Sequence, residues 1–227
     1  MNESPLYVLH GNSTIRNRGC QAIALSTMQL LREEFPGCQI VHAPYIMPAN
    51  QRGEPRELDG APVRPWTFHR RYTWRWWLHQ ARKARRPQRE PVIELASRAT
   101  AVLECGGDNF SMDYGLPVRY FQAAEQVLAT GCPLVLWGAS VGPFSQDPTF
   151  EKYAAERLRR FTLICARESA TVEYLTSIGV SENVRLVADP AFLLTPQEID
   201  LDREGLGILR QPCVGLNFSS LIGKYHG

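Results

Sequence analysis
The chain has 227 residues, 44% of them hydrophobic, and its 25 Lys and Arg against 23 Asp and Glu leave a net charge of +2. That length suffices for one large domain or two small ones with a sizeable core, and the balanced charge argues against wholesale nucleic-acid binding. No run of about 20 apolar residues spans a membrane, the first residues lack the basic and apolar regions of a signal peptide, and the six cysteines (20, 38, 105, 132, 165 and 213) show no Cys-x-x-Cys spacing. Neither a disulfide framework nor a metal site is expected, and the chain reads as cytoplasmic.

Residues 6–10 read as a first strand, followed by a polar loop over 11–19 and a helix over 20–35 with Ala22, Leu25 and Met28 near one face. Pro36-Gly37 stops that helix, and 39–43 reads as a second strand. Such a unit implies a parallel strand pair with a right-handed crossover. Asn17, Arg18 and Gly19 stand at the helix start, where free backbone N–H groups can bind an anion or sugar oxygens. The alternative is that Asn17 merely caps the helix.

Residues 44–65 are rich in Pro, Gly and charge and read as irregular. Between 64 and 89 there are nine Arg and Lys, no Asp or Glu, and four of the five tryptophans. At helical spacing Trp66, Trp74, Trp77, Ala81 and Ala84 form one stripe, and Arg71, Arg75, Arg82, Arg86 and Arg89 another. A basic, Trp-rich amphipathic helix suits an anionic membrane surface or a lipid pyrophosphate. The alternative is a hairpin packed on the domain, with Arg stems lying over Trp rings. The remainder of the chain carries a net charge of −7, which argues against single-stranded nucleic acid as the partner.

Beyond the insert, apolar runs at 101–105, 133–137, 162–166 and 184–188 alternate with helical patterns over 117–130, 148–160 and 168–178. The alternation predicts an α/β fold, a doubly wound, Rossmann-like parallel sheet over residues 1–194 with the basic insert at 64–91. Residues 195–211 read as a linker, and 212–227 as the first strand (213–218) of a second domain that this chain does not complete.

Each apolar run stops at polar or small residues, as buried parallel strands do when their carboxyl ends supply a shared crevice. After the first of these runs come Gly106, Gly107, Asp108 and Asn109. The glycines allow close approach to the backbone, and Asp108 can hold or deprotonate a hydroxyl; a plain glycine turn is the alternative. Gly138-Ala139-Ser140-Val141-Gly142-Pro143 forms a tight loop presenting the Ser140 hydroxyl. It matches a hydrolase nucleophile elbow, but Pro143 suits a rigid loop better than a helix start, and the later Asp and His are poorly ordered for a triad. Arg167 can bind a phosphate or carboxylate bidentately, or pair internally with Glu168. Asp189 either lines the crevice or caps the segment after it.

With these residues in order, the chain resembles the polysaccharide pyruvyl transferase family. The matching pieces are Asn17-Arg18-Gly19 with its helix, Gly106-Gly107, the 138–143 loop, Ala166-Arg167-Glu168-Ser169, and Ala188-Asp189-Pro190 through Leu194. The similarity runs from Leu6 to about Phe218, the first half of a typical member. It implies the N-terminal half of a two-domain fold like that of GT-B glycosyltransferases. It also implies transfer of an enolpyruvyl unit from phosphoenolpyruvate, the donor substrate, onto sugar hydroxyls of a cell-surface glycan or lipid-linked sugar, with no separate cofactor. Peripheral membrane contact through 64–89 would fit such an acceptor. On this resemblance Arg167 serves as a cation for the donor and Asp108 contacts acceptor hydroxyls, while Asn17, Arg18, Gly19, Gly106, Gly107, Ser140, Gly142 and Asp189 bind substrate. Members usually carry an acidic residue where Cys20 stands, often Asp where Glu168 stands, and a glycine where Cys105 stands. The competing expectations are a GT-B glycosyltransferase using a nucleotide sugar, and a non-catalytic domain that binds glycan or lipid-linked sugar.

Overall fold
The structure, a computed structural model, describes residues 4–12, 17–46, 56–64, 66–67, 91–113, 115–196, 198–200, 202–214 and 216. Contacts divide the chain into two compact units, Met1–Leu194 and Thr195–Gly227.

The first unit is built on six parallel strands, β1 (Leu6–His10), β2 (Gln39–Ala43), β3 (Ala101–Glu104), β4 (Leu134–Ala139), β5 (Leu163–Ala166) and β6 (Val184–Leu186). Their spatial order is β2-β1-β3-β4-β5-β6. Helices connect them: α1 (Arg18–Glu34) between β1 and β2, α2 (Pro91–Ala96) before β3, then α3 (Val118–Leu128), α4 (Pro148–Leu158) and α5 (Ser169–Ser177). The sheet grows one way from β1 to β2 and the other way from β1 through β3, so the order reverses between β1 and β3. In open α/β sheets that reversal opens a crevice at the carboxyl ends of the strands. The predicted doubly wound parallel architecture is what the chain adopts.

Period-two alternation divides the core. Leu6 and Val8 of β1 face one cluster with Val102, Phe121, Leu136, Leu158 and Leu175, under α2 to α5. Tyr7 and Leu9 face the other with Ile23, Met28, Leu31 and Leu103, under α1. α1 is tied to β4 by the Trp137 indole N–H, which donates to the buried Thr27 hydroxyl at 2.9 Å. On the first face an aromatic group anchors the loops after β3 and β4. Phe110 meets Phe121 edge-on at 5.0 Å, and Phe144 meets Phe150 edge-on at 5.1 Å, a favoured geometry for ring pairs. A parallel bridge of Val141 with Phe110 and Gly142 with Ser111 sets the two loops side by side.

Several boundaries differ from the sequence expectation. α1 begins at Arg18, ahead of Cys20, because Asn17 caps it. β3 stops at Glu104, and β4 continues to Ala139. The stretch read as irregular holds an antiparallel hairpin, Glu57–Leu58 with Ala61–Pro62, turned at Asp59 and Gly60, both at positive φ. Asp-Gly is the dipeptide that such a turn favours. Trp66–Thr67 pairs in parallel with Tyr45–Ile46, so Trp66 belongs to a strand and not to the helical stripe expected of it. Residues 68–90, the bulk of the basic Trp-rich insert, lie outside the described residues. In the second unit a 3-10 turn covers Gly207–Arg210, and the described Cys213, Val214 and Leu216 carry no strand pairing; the rest of the 213–218 stretch lies outside the described residues. Among the described residues no helix is long and apolar enough to cross a membrane.

Candidate functional site
The crevice floor is formed where β1 and β3 end. His10 and Glu104 are register partners on these strands, both buried, with His10 Nε2 at 3.9 Å from Glu104 Oε2. The second ring nitrogen of His10, Nδ1, lies 2.7 Å from the Ala43 carbonyl, which fixes Nδ1 as the protonated nitrogen. Burial pushes the Glu104 carboxyl above its usual range, opposed by His10 and by the Asn109 amide. Asn109 Nδ2 donates to the Gly11 carbonyl at 2.7 Å and to Glu104 Oε1 at 3.4 Å, so one amide joins the loops after β1 and β3. Gly11 has φ +89°, and a Cβ there would overlap the Glu104 carboxyl. Close approach thus requires glycine at this position. His42 on β2 is fully buried with neither ring nitrogen hydrogen-bonded among the described residues. Burial, then the neighbouring His10, lower its pKa to about 4.

Beside this floor lies a charged cluster from the ends of β4, β5 and β6. Arg167 Nε donates to Glu168 Oε1 at 2.8 Å and to Ser140 Oγ at 3.1 Å, and Nη1 donates to Asp189 Oδ2 at 2.9 Å. Ser140 Oγ donates to Glu168 Oε1 at 2.9 Å, and Thr171 Oγ1 donates to Glu168 Oε2 at 3.2 Å. Arg167 therefore stands between two carboxylates, with Nη2 making no hydrogen bond among the described residues. The Ser140 N–H donates to the Gly107 carbonyl at 2.8 Å. Gly107, at φ +53°, leaves Arg167 Nη1 3.6 Å and Ile23 Cδ1 3.9 Å from the position of its missing side chain. The Gly106–Asn109 loop is thereby held against the Arg167 cluster and the first turns of α1.

Asp108 differs from the other crevice carboxylates. It is half-buried, and its carboxylate makes no hydrogen bond or ion pair among the described residues. It lines a pocket of about 310 Å3 bounded by the loop after β3 and the first turn of α3.

The residues singled out from sequence separate by what they touch. Gly107, Ser140, Arg167 and Asp189 converge at the strand ends, while Asp108, next to Gly107 in the loop, lines a separate pocket with the first turn of α3. Gly106 lies against Asn109, whose amide occupies the space a Cβ would need. Asn17 accepts from Gly19 N at 2.9 Å and Cys20 N at 3.3 Å as the α1 cap, and Arg18 bonds Gln21 at 2.8 Å on the exposed surface beside Gly19. Gly142, at φ +70°, abuts the Tyr174 ring. The Tyr174 hydroxyl accepts from Phe144 N at 2.8 Å and donates to Glu151 at 2.9 Å, and burial first among its causes pushes its pKa up to about 12. Gly142 therefore serves loop packing. Among the described residues the Ser140 hydroxyl bonds Glu168 and Arg167 and no histidine, so the triad reading has no structural support. Sequence reasoning missed Glu104, His10 and Asn109; a carboxylate inside a buried apolar run was the available signal, since such a group requires partners.

The polysaccharide pyruvyl transferase family model matches residues 17–223, a span that starts at the α1 cap. No curated protein matches. Among solved structures the chain is similar to Anabaena Alr3699/HepE, determined in complex with UDP and glucose, at 12% identity and a TM-score of 0.49. That likeness covers 82% of this chain and 45% of the other, so the chain spans under half the length of that protein.

Proposed function
The chain belongs to the polysaccharide pyruvyl transferase family, and from that premise we propose that it takes part in transfer of an enolpyruvyl unit from phosphoenolpyruvate to two hydroxyls of a sugar. The observation that supports the reading is the Arg167 guanidinium held against Gly107 at the strand ends, with the next residue of that loop, Asp108, carrying a carboxylate that makes no hydrogen bond or ion pair among the described residues. In the reaction one sugar oxygen bonds to C2 of phosphoenolpyruvate while the methylene carbon gains a proton. The C2–O bond to phosphate then breaks, and the second sugar oxygen bonds to C2. The two hydroxyl protons are accounted for by the new methyl group and by the released hydrogen phosphate.

Asp108 is suited to receive a hydroxyl proton because its oxygens make no hydrogen bond or ion pair among the described residues. Arg167 is suited to hold an anion through Nη2 while Glu168, Asp189 and Ser140 fix its plane. The flanking carboxylates neutralise its charge, so it orients a donor carboxylate or phosphate more than it attracts one from a distance. The basic 64–89 segment would bring the protein to an anionic membrane carrying a lipid-linked acceptor.

The test is phosphate release by the full-length protein given phosphoenolpyruvate and a panel of saccharides. The reading expects release that needs both substrates and falls in Asp108→Asn. Phosphoenolpyruvate left intact, with sugar transferred from a nucleotide sugar, would replace it with the glycosyltransferase alternative.

A further inference from the structure
Resting on the pyruvyl-transfer reading for the anion held by Arg167, we propose that Asp189 is a latch: an anion bound on Arg167 displaces the Asp189 carboxylate and so loosens the 3-10 turn Pro190–Leu193 that ends the first unit. The Asp189 carboxylate is divided between two tasks. Oδ2 accepts from Arg167 Nη1 at 2.9 Å, and Oδ1 accepts from Ala191 N at 2.9 Å. A carboxyl group is planar and rigid. A side-chain rotation that carries Oδ2 away from the guanidinium therefore also carries Oδ1 away from the Ala191 N–H.

The anchors of the two carboxylates decide which one yields. Glu168 accepts from Arg167 Nε and from the Ser140 and Thr171 hydroxyls. Asp189 accepts only from Arg167 and one backbone N–H among the described residues. The guanidinium carries one positive charge and already faces both carboxylates, so an anion on Nη2 brings a third negative group to it. The Arg167 and Asp189 side chains are 22% and 26% exposed, so the anion can reach the guanidinium and water can solvate the released carboxylate. The bonds from Nε to Glu168 and Ser140 keep Arg167 in place meanwhile. Pro190 keeps the start of the turn seated, since it fills the space over Gly138, where a Cβ would stand 2.4 Å from Pro190 Cδ. Beyond it the turn has little internal support: Phe192 N bonds the Asp189 carbonyl at 3.0 Å, and Leu194 N bonds the Ala191 carbonyl at 3.3 Å. Short 3-10 turns have poor hydrogen-bond geometry, so the loss of the cap falls on residues 191–194. The second unit begins at Thr195, so occupancy of the crevice is registered where the chain leaves the first unit.

Amide hydrogen exchange of the full chain, followed by NMR with and without millimolar phosphoenolpyruvate or inorganic phosphate, tests the proposal. With the anion bound, exchange at Ala191 and Leu194 should quicken by about fivefold or more, the low end of site-to-site couplings. Exchange at the buried Val8 and Leu136 of the core strands should stay unchanged, which reports an intact fold in every variant. Asp189→Asn offers one acceptor oxygen for two donors, so its Ala191 exchange should no longer respond to the anion. Because coupling is reciprocal, Asp189→Asn and Asp189→Ala should both bind phosphoenolpyruvate more tightly, by about fivefold or more in a chemical-shift titration. Ala191 exchange unchanged or slowed by a bound anion, equal or weaker binding in both variants, or no anion binding by any of the proteins would each overturn the latch. If the latch responds as expected but phosphoenolpyruvate is never consumed, the latch stands and the pyruvyl-transfer reading falls. Ketal formation with Ala191 exchange unmoved by the anion would leave that reading standing without the latch.

Discussion

Arg167 at the end of β5 and Asp189 beyond β6 are joined by a 2.9 Å ion pair that holds the last two strand ends of the sheet to one guanidinium. Asp189 also accepts from Ala191 N at 2.9 Å, capping the 3-10 turn Pro190–Leu193 that packs on α1. The arginine proposed to hold the donor is therefore positioned by the same contacts that close the sheet. Arg167→Ala should lower kcat/KM for phosphoenolpyruvate by about 10²-fold or more. It should cost about 1 kcal/mol of stability, discounted because the pair is partly exposed. Arg167→Lys should recover stability but not activity, since a point charge cannot reproduce the fork. Steady-state kinetics with urea denaturation of each variant checks this.

Asp108→Asn should separate the two readouts. Its carboxylate makes no hydrogen bond or ion pair among the described residues, so the melting temperature should stay close to wild type. Transfer should fall by about 10² to 10⁴, the usual worth of a positioned base. A loss of stability as large as that of Arg167→Ala would show that Asp108 is structural.

Gly11 and Gly37 separate steric need from conformational need. Both have positive φ, +89° and +81°, but a Cβ at Gly37 meets nothing within 4 Å, while one at Gly11 overlaps Glu104. Gly37→Ala should cost about 1 kcal/mol for the left-handed backbone alone. Gly11→Ala should cost about 1–3 kcal/mol more, from the overpacking. Equal losses in denaturation curves would mean that the Glu104 carboxyl moves aside freely.

The buried His42 gives a pH signature. Its folded-state pKa of about 4 lies below the ordinary histidine value of 6.5, so the unfolded chain binds the proton more readily. Stability is then full above about pH 6.5 and is lost as pH falls towards 4, by up to a few kcal/mol on an order-of-magnitude conversion. Glu104 works the other way: its raised pKa adds stability at low pH that is lost as pH rises above 4.5. Melting temperatures between pH 4 and 7 should fall less steeply towards acid in His42→Leu than in wild type. Parallel curves would contradict the assignment.

The 64–89 segment predicts salt-sensitive membrane contact. Replacing Arg82, Lys83, Arg85 and Arg86 with Gln should weaken co-sedimentation with anionic vesicles by about 10² or more, from roughly 1 kcal/mol per basic residue near the surface. Binding to neutral vesicles should be weak in both proteins. Equal binding of both proteins to anionic vesicles would place the interaction elsewhere.

The central sheet was legible because buried parallel strands are short apolar runs bounded by Gly, Pro and charge, as at 101–105 and 162–166. Arg167 and Asp108 were legible as strand-end residues, but their difference was not. Which carboxylate is ion-paired among the described residues and which is not depends on contacts 22 residues apart in sequence, between Arg167 and Asp189. The His10–Glu104 pair was hidden because each residue merely ends an apolar run, and only the β1–β3 register sets them side by side. The hairpin at Asp59-Gly60 carried a readable turn signal, obscured by the surrounding Pro and charge. Asn17 shows local chemistry prevailing over a ligand reading: its oxygen is already bonded by the helix it caps.

The most direct test of pyruvyl transfer is to run the reaction in deuterium oxide with phosphoenolpyruvate and an acceptor saccharide, and to read the product by NMR and mass spectrometry. Pyruvyl transfer should give a pyruvate ketal whose methyl group carries one solvent deuterium, with one phosphate released per ketal formed. Unconsumed phosphoenolpyruvate, or phosphate released without a ketal on the sugar, would contradict it.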